Sequence, residues 1–125
     1  DNQEYNTEII RILEKKDRGK DIDLLDLTGK IGLGSLCSVI TEANLFVGID
    51  SGVMHMASCL DIPVVGLFGP TDPFYVGPQN KKSIVVREES MECVPCYLKD
   101  CKHRDCMKKL GVSKVFEACK KLLIE

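Results

Sequence analysis

A chain of 125 residues with 44% hydrophobic and 29% charged residues has the length of one folded domain, enough to bury about two thirds of the surface its unfolded form exposes. Its 17 basic and 19 acidic residues are mixed along most of the sequence, which leaves a formal charge of -2 and no electrostatic footprint for nucleic acid. No apolar run approaches the roughly 18–20 residues of a membrane span, and the polar opening DNQEYNTEII lacks the apolar core of a signal peptide.

Tyr5, Ile9, Ile12 and Leu13 recur at helical spacing, and Gly19 follows the basic end as a stop signal, so the chain is expected to open on an amphipathic helix. IDLLDL, residues 22–27, is a short apolar run ending in the turn Thr28-Gly29-Lys30, which predicts a strand. Leu33, Leu36, Cys37 and Ile40 then fall at i, i+3, i+4 and i+7, the stripe of a second helix. LFVGI at 45–49 is a continuous apolar run of the kind found in strands covered on both faces, and VMHMASCL after it has helical length and propensity. Pro63 opens a further buried-type strand, VVGLF, which stops at the breaker-rich GPTDP. SIVVR predicts a fourth strand, residues 91–110 an irregular cysteine-rich segment, and Val115, Phe116, Cys119, Leu122 and Leu123 a last helix capped by Ser113. Helices alternating with short apolar strands define an α/β fold on a mostly parallel, Rossmann-like sheet, here taken as a single domain over 1–125 with a cysteine-rich loop at 91–110.

In such sheets ligands gather at the carboxyl ends of the strands, where the stretch GIDSGVMHMA, residues 48–57, falls. A serine nucleophile is excluded by context, because the only histidines, His55 and His103, both follow Ser51, and His55 shares its predicted helix. Two readings remain. Free amides and the positive end of a helix dipole at Ser51 and Gly52 would hold a diphosphate, with His55 one turn in as a further donor. Alternatively, Asp50 or Ser51 is only an N-cap, Gly52 a steric necessity and His55 a half-buried helix residue.

The longer string DLTGKIGLGSL…ANLFVGIDSGVMHMASCLDIPVVGLFGPTDP, Asp26 to Pro73, closely resembles the carboxyl-terminal half of glycosyltransferase family 9, the ADP-heptose:lipopolysaccharide heptosyltransferases. A GK turn, a DSGxxH turn and an FGPTDP loop occur there in this order, and the tail with its VxPC, CM and final helix is similar to many members. The resemblance implies the two-domain GT-B architecture, in which the second Rossmann-like domain holds the nucleotide sugar and the first supplies the acceptor site and catalytic base. By motif, Ser51 and Gly52 would hold the donor diphosphate with Asp50 and His55 beside it, Ile31 would pack on the adenine, and Glu4 would accept from the ribose hydroxyls. Val53 stands where members often have proline, which alters turn rigidity more than chemistry. The family's first domain, and a strand and loop with a phosphate-binding lysine or threonine, would precede this region. The chain is therefore expected to be part of a donor-binding domain, with no catalytic residue of its own and no activity alone.

Seven cysteines, an odd number spread through helical patterns as well as clustered, argue against a secreted disulfide framework and predict a reducing, cytoplasmic compartment. Cys93, Cys96, Cys101 and Cys106 offer four thiols, enough for a tetrahedral zinc, with His103 as a substitute ligand. With one CxxC only, reduced structural thiols, or adventitious disulfides formed in air, are expected rather than a metal. Lys99, Lys102, His103, Arg104, Lys108 and Lys109 make the same segment basic, which suits a solvated loop or attraction to an anionic glycolipid acceptor or to the inner membrane surface. The expected function is thus the donor-binding part of an inverting glycosyltransferase in lipopolysaccharide core assembly, needing no cofactor beyond its donor, ADP-heptose or a similar nucleotide sugar. Its partners would be that donor, the amino-terminal acceptor domain and the glycolipid. The alternatives are a sugar-nucleotide epimerase or other GT-B enzyme, and a zinc-stabilised interaction module.

Overall fold

The computed structural model describes residues 2–15 and 23–124, which form two compact units, 1–36 and 37–125. In the first unit, helix α1 (Asn2–Lys15) carries the expected amphipathic pattern, with Glu4 in its first turn; the expected stop at Gly19 lies outside the described residues. Asn6 of α1 donates to the Thr28 hydroxyl at 2.8 Å, fixing the Leu27–Lys30 turn against the helix. The strand predicted at 22–27 is not formed over the described residues 23–27, which are irregular, with Leu24 and Leu25 exposed. Asp26 instead closes a local turn by accepting from the Thr28 amide at 3.0 Å, and the Lys30 ammonium reaches back to its carbonyl at 2.9 Å. That turn satisfies locally the backbone groups a ladder would have used. The Thr28 amide and hydroxyl, with Lys30 beside them, lower the Asp26 pKa.

Helix α2 (Leu33–Thr41) spans the division between the units and buries Ile40. The second unit then alternates as expected: β1 (Phe46–Ile49), α3 (Gly52–Cys59), β2 (Val64–Phe68), α4 (Pro73–Val76), β3 (Ser83–Arg87), α5 (Asp105–Lys108) and α6 (Val112–Ile124). The strands pair in the order β1-β2-β3, all parallel, with Phe46 opposite Val64 and Val64 opposite Ser83. β2 is paired on both edges and packed by α3 and α6 on its faces, which explains its unbroken apolar run. β1, expected to be covered on both faces, instead lies at the edge of the three strands and leaves Val47 and Ile49 exposed.

Gly66 of β2 faces α3, where a Cβ would stand 3.2 Å from the Met54 Sδ, and both Met54 and Phe68 are fully buried on that side. On the other face Val65 and Val86 pack with Ala118 of α6, together with Leu67, Leu110 and Val115. The result is a three-layer α/β/α sandwich. Each fully buried side chain among Phe68, Met54, Val64 and Val65 contributes about 1.5–3 kcal/mol relative to exposure. Ser58, buried at the end of α3, accepts from the amides of Gln79 and Asn80 at 2.8 and 3.1 Å and ties that helix to the loop before β3.

Three boundaries differ from expectation. α6 starts at Val112, with the Gly111 carbonyl accepting from Lys114 and Val115, so Ser113 is inside the first turn rather than the cap. The GPTDP breaker opens a short helix, because Asp72 accepts from the Phe74 amide and Pro73 occupies the first turn. The 91–110 segment is irregular apart from α5.

After β3, Glu88 accepts from the Ser90 hydroxyl at 2.6 Å and the Ser90 amide at 3.2 Å, and Lys114 of α6 lies 3.3 Å away. Those contacts hold its pKa down to about 2, from an ordinary 4.5. The native state therefore gains from the ionised form: this stabilisation is complete above about pH 4.5 and disappears as pH falls through about 2. Thermal melts across that window should show the parent losing stability with acid more steeply than Glu88→Gln. Equal slopes would mean that the Ser90 and Lys114 contacts do not form in solution.

Candidate functional site at the amino terminus of α3

β1 delivers the chain to Asp50 at the carboxyl edge of the sheet, and α3 begins two residues later. Ser51 is the N-cap, extended at φ -160 and ψ 162, with its Oγ accepting from the Met54 amide at 3.4 Å and its carbonyl from His55 at 3.2 Å. Two of the helix's first four amides are thereby used, and those of Gly52 and Val53 precede the first intrahelical bond. The capping reading of Ser51 is thus realised, and its hydroxyl proton stays available to donate outward.

Gly52 is not demanded by packing. It is exposed, a Cβ there would meet nothing within 4 Å, and its φ is not in the left-handed region. The steric-necessity reading of Gly52 is therefore overturned. What its missing side chain leaves is clear space in front of two unpaired amides at the positive end of a helix dipole. His55 is half-buried one turn in, its Nε2 3.8 Å from the Asp50 Oδ1, a distance for an ion pair with a protonated imidazole rather than a hydrogen bond.

Beside Asp50, a cleft of about 230 Å³ is lined by Ile49, Gly69, Pro70, Thr71 and Met107. Thr71 lines this cleft, but its Oγ1 is itself buried, with no hydrogen-bond partner among the described residues, an arrangement that costs free energy. Sequence reasoning quoted FGPTDP as a motif but assigned no role to Thr71; a hydroxyl directly after the turn at the end of a buried strand was the available signal.

Ile31 and Glu4 belong to the other unit, 1–36. Ile31 is half-buried and lines a cavity of about 490 Å³ with Asn6, Ile9, Ile10 and Leu36, whose walls are mostly apolar. Glu4 is exposed on α1 and does not line it.

The four clustered cysteines share the rim of a second cavity, of about 380 Å³, with Pro70, and none of the chain's seven cysteines is bridged. Among the described residues no three His, Cys, Asp or Glu side chains are placed to hold one metal ion. The Arg104 amide donates to the Cys101 sulfur at 3.4 Å, and the Arg104 and His103 amides together lower the Cys101 pKa.

A parallel sheet whose first strand feeds a helix with clear, unpaired amides defines a Rossmann-like α/β domain. The comparisons narrow that class. The sequence profile of glycosyltransferase family 9 (heptosyltransferase) matches residues 1–107, and the chain belongs to that family. Lipooligosaccharide heptosyltransferase 2 of Campylobacter jejuni subsp. jejuni (serotype O:6) is 35% identical over 122 residues, which cover 96% of this chain and 37% of that protein. Lipopolysaccharide heptosyltransferase 1 of Pseudomonas aeruginosa is 31% identical over 75 residues, 60% of this chain and 21% of that one. Among solved structures, Escherichia coli ADP-heptose lps heptosyltransferase II superposes with a TM-score of 0.65 at 26% identity, over 78% of this chain and 27% of that chain. The family 9 glycosyl transferase of Veillonella parvula does so at 0.64 and 31%, over 77% and 28%. The chain thus spans little more than a third of the length of the curated relatives it matches. No helix among the described residues is long and apolar enough to cross a membrane.

Proposed function

We propose that this chain is the donor-binding part of an inverting heptosyltransferase, holding the diphosphate of ADP-heptose or a similar nucleotide sugar at the amino terminus of α3. The observation that carries this reading is the open space over Gly52 in front of the Gly52 and Val53 amides. A diphosphate oxygen there accepts charge-assisted hydrogen bonds from both, and the Ser51 hydroxyl adds a donor. When His55 is protonated, its pairing with Asp50 makes that corner neutral, so the carboxylate does not repel the ligand. Transfer to a lipopolysaccharide-type acceptor then uses a base from an amino-terminal acceptor domain, and no cofactor or metal besides the donor.

Calorimetry with ADP and AMP tests this. AMP lacks the terminal phosphate that the α3 amides would hold, so ADP should bind about tenfold or more tighter, as expected from one charge-assisted hydrogen bond at about 1.5–3 kcal/mol. Equal affinity for the two nucleotides would end the diphosphate reading.

A further inference from the structure

The cavity of about 380 Å³ that the clustered cysteines rim takes no part in the proposed transfer. Its size falls within the roughly 300–1,000 Å³ of small-molecule sites. Its wall is built largely from sulfur-bearing side chains, Met91, Cys93, Cys96, Cys101, Cys106 and Met107. Holding these around one space takes an irregular but anchored backbone. The Cys96 and Tyr97 amides both donate to the Pro70 carbonyl at 2.9 Å, and the Asp72 amide donates to the Tyr97 hydroxyl at 3.3 Å. Tyr97 and Arg104 lie in the left-handed region, at φ 54 and 52, a conformation that costs a residue with a side chain free energy and persists where its surroundings hold it. Gly69 makes room for the wall: a Cβ there would stand 2.7 Å from the Met107 Sδ and 3.3 Å from the Cys106 Sγ, so a larger residue would push both sulfurs. The rim is basic. Lys99, His103 and Arg104 line it and are exposed, and among the described residues Lys99 and Arg104 are without an ion pair. Asp105, which also lines the cavity, lies 3.9 Å from the Lys109 ammonium, so its charge is already met.

We infer that this cavity binds a small aromatic anion, its ring system against the thiol and thioether wall and its anionic group at Lys99 and Arg104. Thioether sulfur packs favourably on ring edges and adapts to the shape placed against it, which suits a flat, rigid body better than a flexible chain. Cations at the mouth then fix the ligand's orientation, because a planar guanidinium gives a sulfonate or carboxylate two parallel hydrogen bonds. Pro70 and Met107 also line the cleft beside Asp50, so the cavity adjoins that cleft, but none of its lining residues belongs to α3. The site is thus separate from the amides assigned to the diphosphate and stands without that assignment.

Anilinonaphthalenesulfonate, a dye that fluoresces on entering an apolar site, tests this with the whole chain, freshly reduced. It should bind, and its uncharged counterpart phenylnaphthylamine should bind at least about tenfold more weakly, as expected for the loss of one charge-assisted hydrogen bond. Lys99→Gln with Arg104→Gln should weaken the sulfonate by about tenfold or more and leave phenylnaphthylamine unchanged. Naphthalenesulfonate should displace the dye at lower concentration than decanesulfonate, which has the same charge and the same number of carbons; the reverse order would overturn the aromatic assignment. Alkylation by iodoacetamide, mapped by peptide mass, locates the dye without any substitution. Dye at about ten times its Kd should slow the reaction of Cys96, Cys101 and Cys106 by about tenfold and leave the exposed Cys59 of α3 unchanged. Uniform slowing, or none, would overturn the inference, as would equal affinity for the two dyes or a charge variant that binds like the parent. Displacement of the dye by ADP would also overturn it, by placing the dye in the donor cleft. Dye binding with this pattern but without ADP binding would leave the inference standing and remove the donor reading instead.

Discussion

Gly52→Val is expected to abolish ADP binding while leaving the fold in place. The two halves of that expectation come from the same observation. A Cβ at Gly52 meets no atom within 4 Å, and the backbone there is not left-handed, so neither packing nor conformation resists a side chain. Stability should shift by no more than about 0.5 kcal/mol, as for other exposed substitutions away from special features. Valine's two methyl groups, however, occupy the space in front of the Gly52 and Val53 amides. Two charge-assisted hydrogen bonds at about 1.5–3 kcal/mol each are then lost, a fall in affinity of roughly a hundredfold to ten-thousandfold. Gly52→Ala, with one methyl, should fall between. Ser51→Ala is a poorer probe, because its Oγ caps the Met54 amide and its removal also costs about 1 kcal/mol of helix stability. Calorimetry decides the outcome, with far-UV circular dichroism and melting as controls. A valine variant that binds ADP like the parent would place the phosphate elsewhere.

The strands were readable because each is an apolar run, although only β2 is buried along most of its length and β1 leaves Val47 and Ile49 exposed. VVGLF is central in the sheet and reads as an unbroken apolar run. IDLLDL carries a similar run yet forms no strand over 23–27, because a strand also needs a neighbour to take its amides, and pairing is invisible in one segment. There the Asp26 and Lys30 side chains offered the backbone a local alternative. The α4 helix was missed although Asp72 and Pro73 are a cap followed by a first-turn proline, since GPTDP also reads as a breaker. At the site, the spacing of Asp50, Ser51, Gly52 and His55 located the turn but left two readings of it open. Only the space over Gly52 separates clearance for a ligand from a packing requirement, and space depends on residues distant in sequence. Thr71 left one mark, a hydroxyl directly after a turn, but that its Oγ1 is orphaned depends on what does not surround it.

Supplied with ADP-heptose and acceptor, these 125 residues are expected to bind the donor and transfer nothing. Inverting transfer requires a base within about 3 Å of the attacking hydroxyl. In the α3 corner the groups able to serve are Asp50 and His55, and both face each other at 3.8 Å at the end assigned to the phosphates. On that proposed assignment the leaving nucleotide would lie there, on the far side of the anomeric carbon from an acceptor attacking in line. Holding the acceptor in that line is worth roughly 7–11 kcal/mol, about five to eight orders of magnitude in rate, and a surface that grips only the nucleotide supplies almost none of it. Binding and turnover should therefore separate: calorimetry registers ADP while a product assay stays at background. Adding the family's acceptor domain, in cis or as a separate chain, should restore transfer only when that domain brings its own carboxylate. Asp50→Asn and His55→Ala should then weaken donor affinity more than they lower the rate at saturating donor. Transfer by the 125 residues alone, lost in either variant, would move Asp50 or His55 from the phosphate end to the base and undo the division of roles proposed here.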